Sequence, residues 1–202
     1  MACAWLVEAL GPDPQPLATV APDRWAAVAR MAHTGFAAPW TTSAGRLFDA
    51  VAALCGVRTE ATYEGQAAVE LEAISDRSER GAYPLEVAGG VLDARGTIAA
   101  VALQAAAGVA ASLIAARFHR TIARATAQAC AEAAGARGLD TVVLGGGVWQ
   151  NRLLLELTTA LLDDAGLRVL VPERLPPNDG AISFGQAAVA AARSEVLSPP
   201  TR

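Results

Sequence analysis

The chain has 202 residues, 53% hydrophobic and only 5% aromatic, with a formal net charge of −4. The length suits one domain or large subdomain, and the apolar fraction excludes a disordered segment. An acidic chain, with arginine as its sole long cation, lacks the positive footprint of a duplex binder, so no nucleic-acid partner is expected.

The first 11 residues, MACAWLVEALG, predict a short helix stopped by glycine, and GPDPQP breaks the chain after it. Pro22 to His33 predict a second helix, with proline in its first position and Trp25, Val28 and Met31 at helical spacing. TTSAGRLFDAVAALCG predicts a third, opened by Thr/Ser caps, stopped by Gly56, with Leu47, Val51 and Leu54 on one face. YEGQAAVELEAIS predicts a fourth behind a glycine turn. Tyr83 to Leu92 are glycine-broken and lean to one or two weak strands. Gly96 to Ala136 predict helix with a bend at Gly108.

The tail half reads differently. TVVL predicts a buried strand, GGG a tight turn, and Gln150 to Ala165 an amphipathic helix. RVLVP predicts another strand, PPNDG a turn, Ala181 to Arg193 a terminal helix, and LSPPTR a frayed end. A helical front half thus meets an α/β tail. The apolar run from Ile98 to Ala116 is mostly alanine and glycine, which suits a buried helix or helix pair rather than a membrane span. No secretory signal opens the chain, and Cys3, Cys55 and Cys130 form neither a disulfide framework nor a zinc motif. A soluble, cytoplasmic protein with reduced thiols is expected.

Several residues invite a functional reading. Gly145, Gly146 and Gly147 let backbone approach a ligand, and the next helix would offer free N–H groups to a phosphate; a plain tight turn is the alternative. Neither a Walker lysine nor a GxGxxG spacing is present. Asn151, in the first turn of that helix, would cap it or bond a base or ribose. Asp179 in PPNDG is a helix cap or a metal ligand. Asp49 sits inside an apolar helix, where Asp is unfavourable unless a partner compensates; a plain solvent-facing Asp is the alternative. Glu64 and Gly65 head a helix. His119, in ARFHRTIAR, reads as a helix-packing residue, and no GxSxG supports a serine triad.

Taken together, TTSAGRLFDAVAALCGVR, YEGQAAVELE, AARFHRTIA, LGGGVWQNRLL and PPNDGAISFGQA resemble, in order, the signatures of the C-terminal domain of HypF carbamoyltransferases. The resemblance, with MACAWL at the front, covers nearly the whole chain. It implies a helix-rich α/β fold, the C-terminal half of an actin/Hsp70-like (ASKHA) carbamoyltransferase domain. It also implies carbamoyl transfer from carbamoyl-adenylate, made from carbamoyl phosphate and ATP, to the C-terminal cysteine of HypE during [NiFe] hydrogenase maturation.

By the same resemblance Asp49, Glu64 and Gly65 hold the ribose and nearby parts of the adenylate. Gly145, Gly146 and Gly147 pass close to the nucleotide, Asn151 bonds its base or sugar side, and Asp179 is a metal ligand. The family's His-x-x-x-His pair, its other metal ligands, has no counterpart here, so zinc or iron is expected only with histidines from elsewhere. Residues 1–40 are expected as a helical segment continuing from an absent first half-domain, 41–196 as the second lobe, and 197–202 as a disordered tail. A truncated gene, a misassigned start or a second chain supplying the remainder would each fit, and the chain alone is expected to be inactive. A non-catalytic partner subunit, a tRNA threonylcarbamoyl transferase and an O-carbamoyltransferase are the competing readings.

Overall fold

A computed structural model describes residues 1–197 of the chain. Its elements are α1 (Ala2–Leu10), α2 (Pro22–Thr34), α3 (Ala44–Leu54), α4 (Gln66–Ala73), β1 (Glu86–Ala88) and β2 (Val91–Asp93), then α5 (Arg95–Ala106) and α6 (Ala111–Arg137). The α/β tail follows as β3 (Thr141–Val143), α7 (Arg152–Asp164), β4 (Arg168–Leu170) and α8 (Ile182–Leu197). Of the expected tail, Leu197 closes α8 and the rest lies outside the described residues.

Local signals set most of these limits. Ser43 caps α3, its hydroxyl oxygen accepting from Arg46 N–H at 3.4 Å, and Gly56 closes the helix end by donating to Ala53 C=O. The apolar face between those limits, Leu47, Phe48, Val51 and Leu54, is buried. Trp25 of α2 donates its indole N–H to Pro14 C=O at 2.9 Å, which ties the proline-rich connection to the core. The segment from Gly96 to Ala136 is not one bent helix but two. α5 ends at Ala106, and Ala110 takes an extended conformation before α6 begins, so the chain turns rather than bends. The last strand keeps only three residues of RVLVP.

α6 is the spine. Its 27 residues, roughly 40 Å long at helical rise, touch both hydrophobic clusters. The larger cluster joins α1 to α5 with the first half of α6, and the Phe48 and Phe118 rings meet edge-on at 4.8 Å near its centre. The smaller cluster, built on Ala127, Leu144 and Leu162, fixes α7 and the strands β3 and β4 to the second half. β1 and β2 form an antiparallel pair; β3 and β4 pair in parallel, with Val142 opposite Val169. α8 differs from every other helix: its side chains from Ile182 to Ser194 are exposed throughout.

Candidate functional site

In an open parallel sheet, ligands bind beyond the carboxyl ends of the strands. Here β3 runs into Leu144 and the turn Gly145–Gly147, while β4 leads to the turn before α8. The two turns are joined. Gly146 donates its N–H to Pro177 C=O at 2.6 Å, and a Cβ on Gly147 would meet Asn178 Cβ at 3.6 Å. Gly146 holds φ at +106°, a conformation that favours glycine. Gly145, Gly146, Gly147 and Asp179 are exposed and share this edge.

The cap of the second turn is Asn178, not Asp179. Asn178 Oδ1 accepts from Gly180 N–H at 3.1 Å, and Asp179 is the first residue of a short 3-10 turn, Asp179–Ala181. The carboxylate of Asp179 is thereby left at the surface of the edge. Among the described residues no three His, Cys, Asp or Glu side chains come together as a metal-ligand group, so the donor set present does not fit a metal by itself.

α7 starts at Arg152, later than the sequence suggests, because Gly147–Gln150 form a 3-10 turn and Asn151 is the N-cap. Asn151 is buried. Its Oδ1 accepts from Leu154 N–H at 2.8 Å, and its Nδ2 lies 2.8 Å from His119 Nε2. His119 is fully buried, and its Nδ1 is 2.7 Å from Ala115 C=O. A carbonyl can only accept, so Nδ1 carries the proton and Nε2 accepts from Asn151. Burial in this apolar setting pushes the imidazole down to about 4, which keeps it neutral.

Two of the first amides of α7 are not free for an anion, which weighs against the phosphate reading of the Gly turn and for the plain-turn alternative. Leu154 N–H is held by Asn151, and Leu153 N–H donates to the Glu72 carboxylate at 3.0 Å. A side chain from α4 thus takes an amide that the phosphate reading would have left to an anion. The sequence missed Glu72 because no local cap pattern points to it; its partner lies 81 residues away.

Asp49 sits elsewhere. Its carboxylate pairs with Arg46 at 3.1 Å, the partner its helix position calls for. It lines a cleft of about 520 Å³ with Arg24, Trp25, Arg58, Glu60 and Ala67, which includes neither the Gly145–Gly147 turn nor Asp179. Glu64 is exposed, and Gly65 is the N-cap of α4. Behind Gly65, Gln66 Oε1 accepts from Thr62 N–H at 2.8 Å and its Nε2 donates to Glu70. Glu70 holds Arg58 through two contacts of 2.6 and 2.8 Å, and Arg58 keeps the Glu70 carboxyl below its ordinary range. The structure therefore forms two groups. Asp49 and the start of α4 make one, and the edge of β3 and β4 makes the other. α4 connects them, because its Glu72 reaches the start of α7 about 10 Å further along the helix.

These features define a helix-rich α/β lobe whose two parallel strands end at a joined, exposed pair of turns. Residues 1–186 match the family model described as "Carbamoyltransferase, Kae1-like Domain, second subdomain". The chain is 42% identical over 155 residues to the carbamoyltransferase HypF of Rhizobium leguminosarum bv. viciae, covering 75% of this chain and 20% of that protein. It is 38% identical over 185 residues to a carbamoyltransferase HypF homolog of Cupriavidus necator, covering 86% of this chain and 47% of that one. A crystal structure of full-length HypF in the phosphate- and nucleotide-bound form superposes with a TM-score of 0.86 at 32% identity, over 98% of this chain and 31% of that one.

The chain belongs to the HypF carbamoyltransferase family, of which it represents the C-terminal part. It spans about a fifth of the Rhizobium relative's length. The expected helix-rich α/β carbamoyltransferase fold is borne out. Among the described residues no helix is long and apolar enough to cross a membrane.

Proposed function

We propose that this chain supplies the nucleotide-facing wall of a cytoplasmic carbamoyltransferase that modifies the C-terminal cysteine of a HypE-like acceptor in [NiFe] hydrogenase maturation. The observation that carries the reading is the joined pair of turns, Gly145–Gly147 and Pro177–Asp179, at the carboxyl ends of β3 and β4. A similar full-length HypF is known in a phosphate- and nucleotide-bound form, which supports a nucleotide as the family's ligand.

In the reaction, the acceptor thiolate attacks the carbamoyl carbon of carbamoyl-adenylate. A C–S bond forms, the C–O bond to the phosphate breaks, and AMP leaves. This chain's contribution is positioning. The exposed backbone of Gly145, Gly146 and Gly147 lies against the adenylate, while Asp49, Glu64 and Gly65, in the separate group at the start of α4, are the ribose-side residues that the family resemblance assigns. Asn151, spent on the α7 cap and on His119, supports the turn from behind rather than through a free side chain. Asp179 offers one carboxylate to a divalent metal, zinc or iron, whose remaining ligands would come from a preceding half-domain. An ATP titration followed by backbone amide shifts tests the wall, and purified chain is expected to show no carbamoyl transfer alone.

The exposed α8 supports a second reading, a half-domain that works with a partner chain. Its sequence, ISFGQAAVAAARSEVL, is apolar around most of its circumference, and such a helix is normally buried. Ile182, Phe184 and Val189 are 54%, 61% and 52% exposed, and the two-stranded parallel sheet beside the turn presents Val143 at 69%. Size-exclusion chromatography with and without the preceding segment of a HypF relative separates the readings. A stable complex supports the half-domain; a monomer indifferent to that segment counts against it.

A further inference from the structure

Nothing in the reaction requires His119, the largest fully buried polar side chain among the described residues. Its ring packs edge-on against Phe48 at 5.1 Å and Phe118 at 6.3 Å, in the first half of α6. An apolar residue would fill that volume at less cost, since a buried polar group must be matched by hydrogen bonds to break even. His119 is matched on both sides. Nδ1 donates to Ala115 C=O, with Ser75 Oγ at 3.4 Å as a second neighbour, and Nε2 accepts from Asn151.

The consequence is an orientation. An amide side chain can sit either way round, and the Asn151 cap works only with Oδ1 toward Leu154 N–H. His119 selects that rotamer, because Nε2 can only accept and so demands the Nδ2 end. With the cap fixed, the 3-10 turn Gly147–Gln150 is held at its far end by Asn151, whose N–H also donates to Val148 C=O at 3.1 Å. At its near end the turn is held by Gly146 and Pro177. The Gly turn is pinned at both ends.

We infer that His119 is a positioning residue for the nucleotide-facing turn, acting through the amide orientation of Asn151 while making no contact with the ligand itself. The inference rests on the proposal that this turn faces the nucleotide. It assigns a role to a residue that sequence periodicity reads as plain helix packing.

Two substitutions separate orientation from packing. His119→Gln places an acceptor oxygen near the Nε2 position, whereas His119→Leu fills the space with none. Binding is read on the full chain by amide-shift titration with ATP. Leu is expected to weaken ATP binding roughly tenfold, the scale of one lost buried hydrogen bond, and Gln to restore most of it. ATP affinity equal to wild type in folded His119→Leu, or equal losses in both variants, overturns the inference.

Should His119→Leu fail to fold, the ring of the wild-type protein decides by nitrogen NMR. A neutral Nδ1–H ring coupled to the Asn151 amide sustains the proposal, and a proton on Nε2 overturns it. Should wild-type chain not bind ATP, the functional reading fails separately, and hydrogen exchange at Gly146 decides this one. Faster exchange in His119→Leu but not His119→Gln supports the pinned turn; unchanged exchange in both removes it.

Discussion

Glu72 and Leu153, on helices α4 and α7, are joined by a hydrogen bond of 3.0 Å from the Leu153 amide to the Glu72 carboxylate. The bond puts a negative charge at the positive end of α7 and ties the two groups of candidate ligand residues into one frame. Replacing Glu72 with Ala is expected to destabilise the fold by about 1 kcal/mol, and Glu72→Gln by only a few tenths, because the amide oxygen still accepts. Urea unfolding of the three proteins checks this. Equal stabilities would mean that the cap contributes nothing.

His119 gives stability a dependence on pH. Its native value of about 4 lies below the ordinary 6.5, so between those limits the unfolded chain binds a proton that the native chain does not. Stability therefore falls as pH drops through that window, by about 3 kcal/mol at its lower end. Carboxylates held low by arginines, Glu70 among them, add losses in the same direction, so the variant comparison isolates the histidine. His119→Gln is expected to show a shallower decline between pH 6.5 and 4 in chemical denaturation, and parallel curves would contradict this assignment.

Thr158, in the middle of α7, is fully buried, and its hydroxyl finds no hydrogen-bond partner among the described residues. Thr158→Val keeps the shape and removes the unpaired group. It should raise stability by about 1 kcal/mol, read as a higher unfolding midpoint. A lower midpoint would show that the hydroxyl is satisfied in solution.

Cys55 packs against the larger core at the end of α3, and burial pushes its thiol up to about 12. Cys3 and Cys130 are raised as well, for the same reason. Iodoacetamide at pH 8 is therefore expected to leave Cys55 unmodified in the native protein and to label it readily in urea, as peptide mass spectrometry would record. Rapid native labelling at Cys55 would point to an open core around α3.

Much of this frame is legible in the sequence because the signals are local. Proline at the start of α2, serine before α3 and the GGG between strand and helix each act within four residues of their own position. Asn151 and Asp179 show where that legibility stops. Either could cap a helix by its sequence neighbourhood. Which one does depends on His119 lying behind Asn151, and on Asn178 taking the cap that the sequence offers to Asp179. Glu72 at the α7 terminus and the separation of Asp49 from the Gly turn are likewise tertiary facts, set by how α3 and α4 pack on α6, and no window of residues encodes them.

The most direct measurement is an amide-resolved titration of the chain with ATP. Shift changes should concentrate at Gly145, Gly146, Gly147, Asp179 and Gly180, with a second, smaller set at Asp49 and Gly65. Shifts confined to the far surface around β1 and β2, with the Gly turn silent at saturating nucleotide, would remove the wall from the reaction altogether.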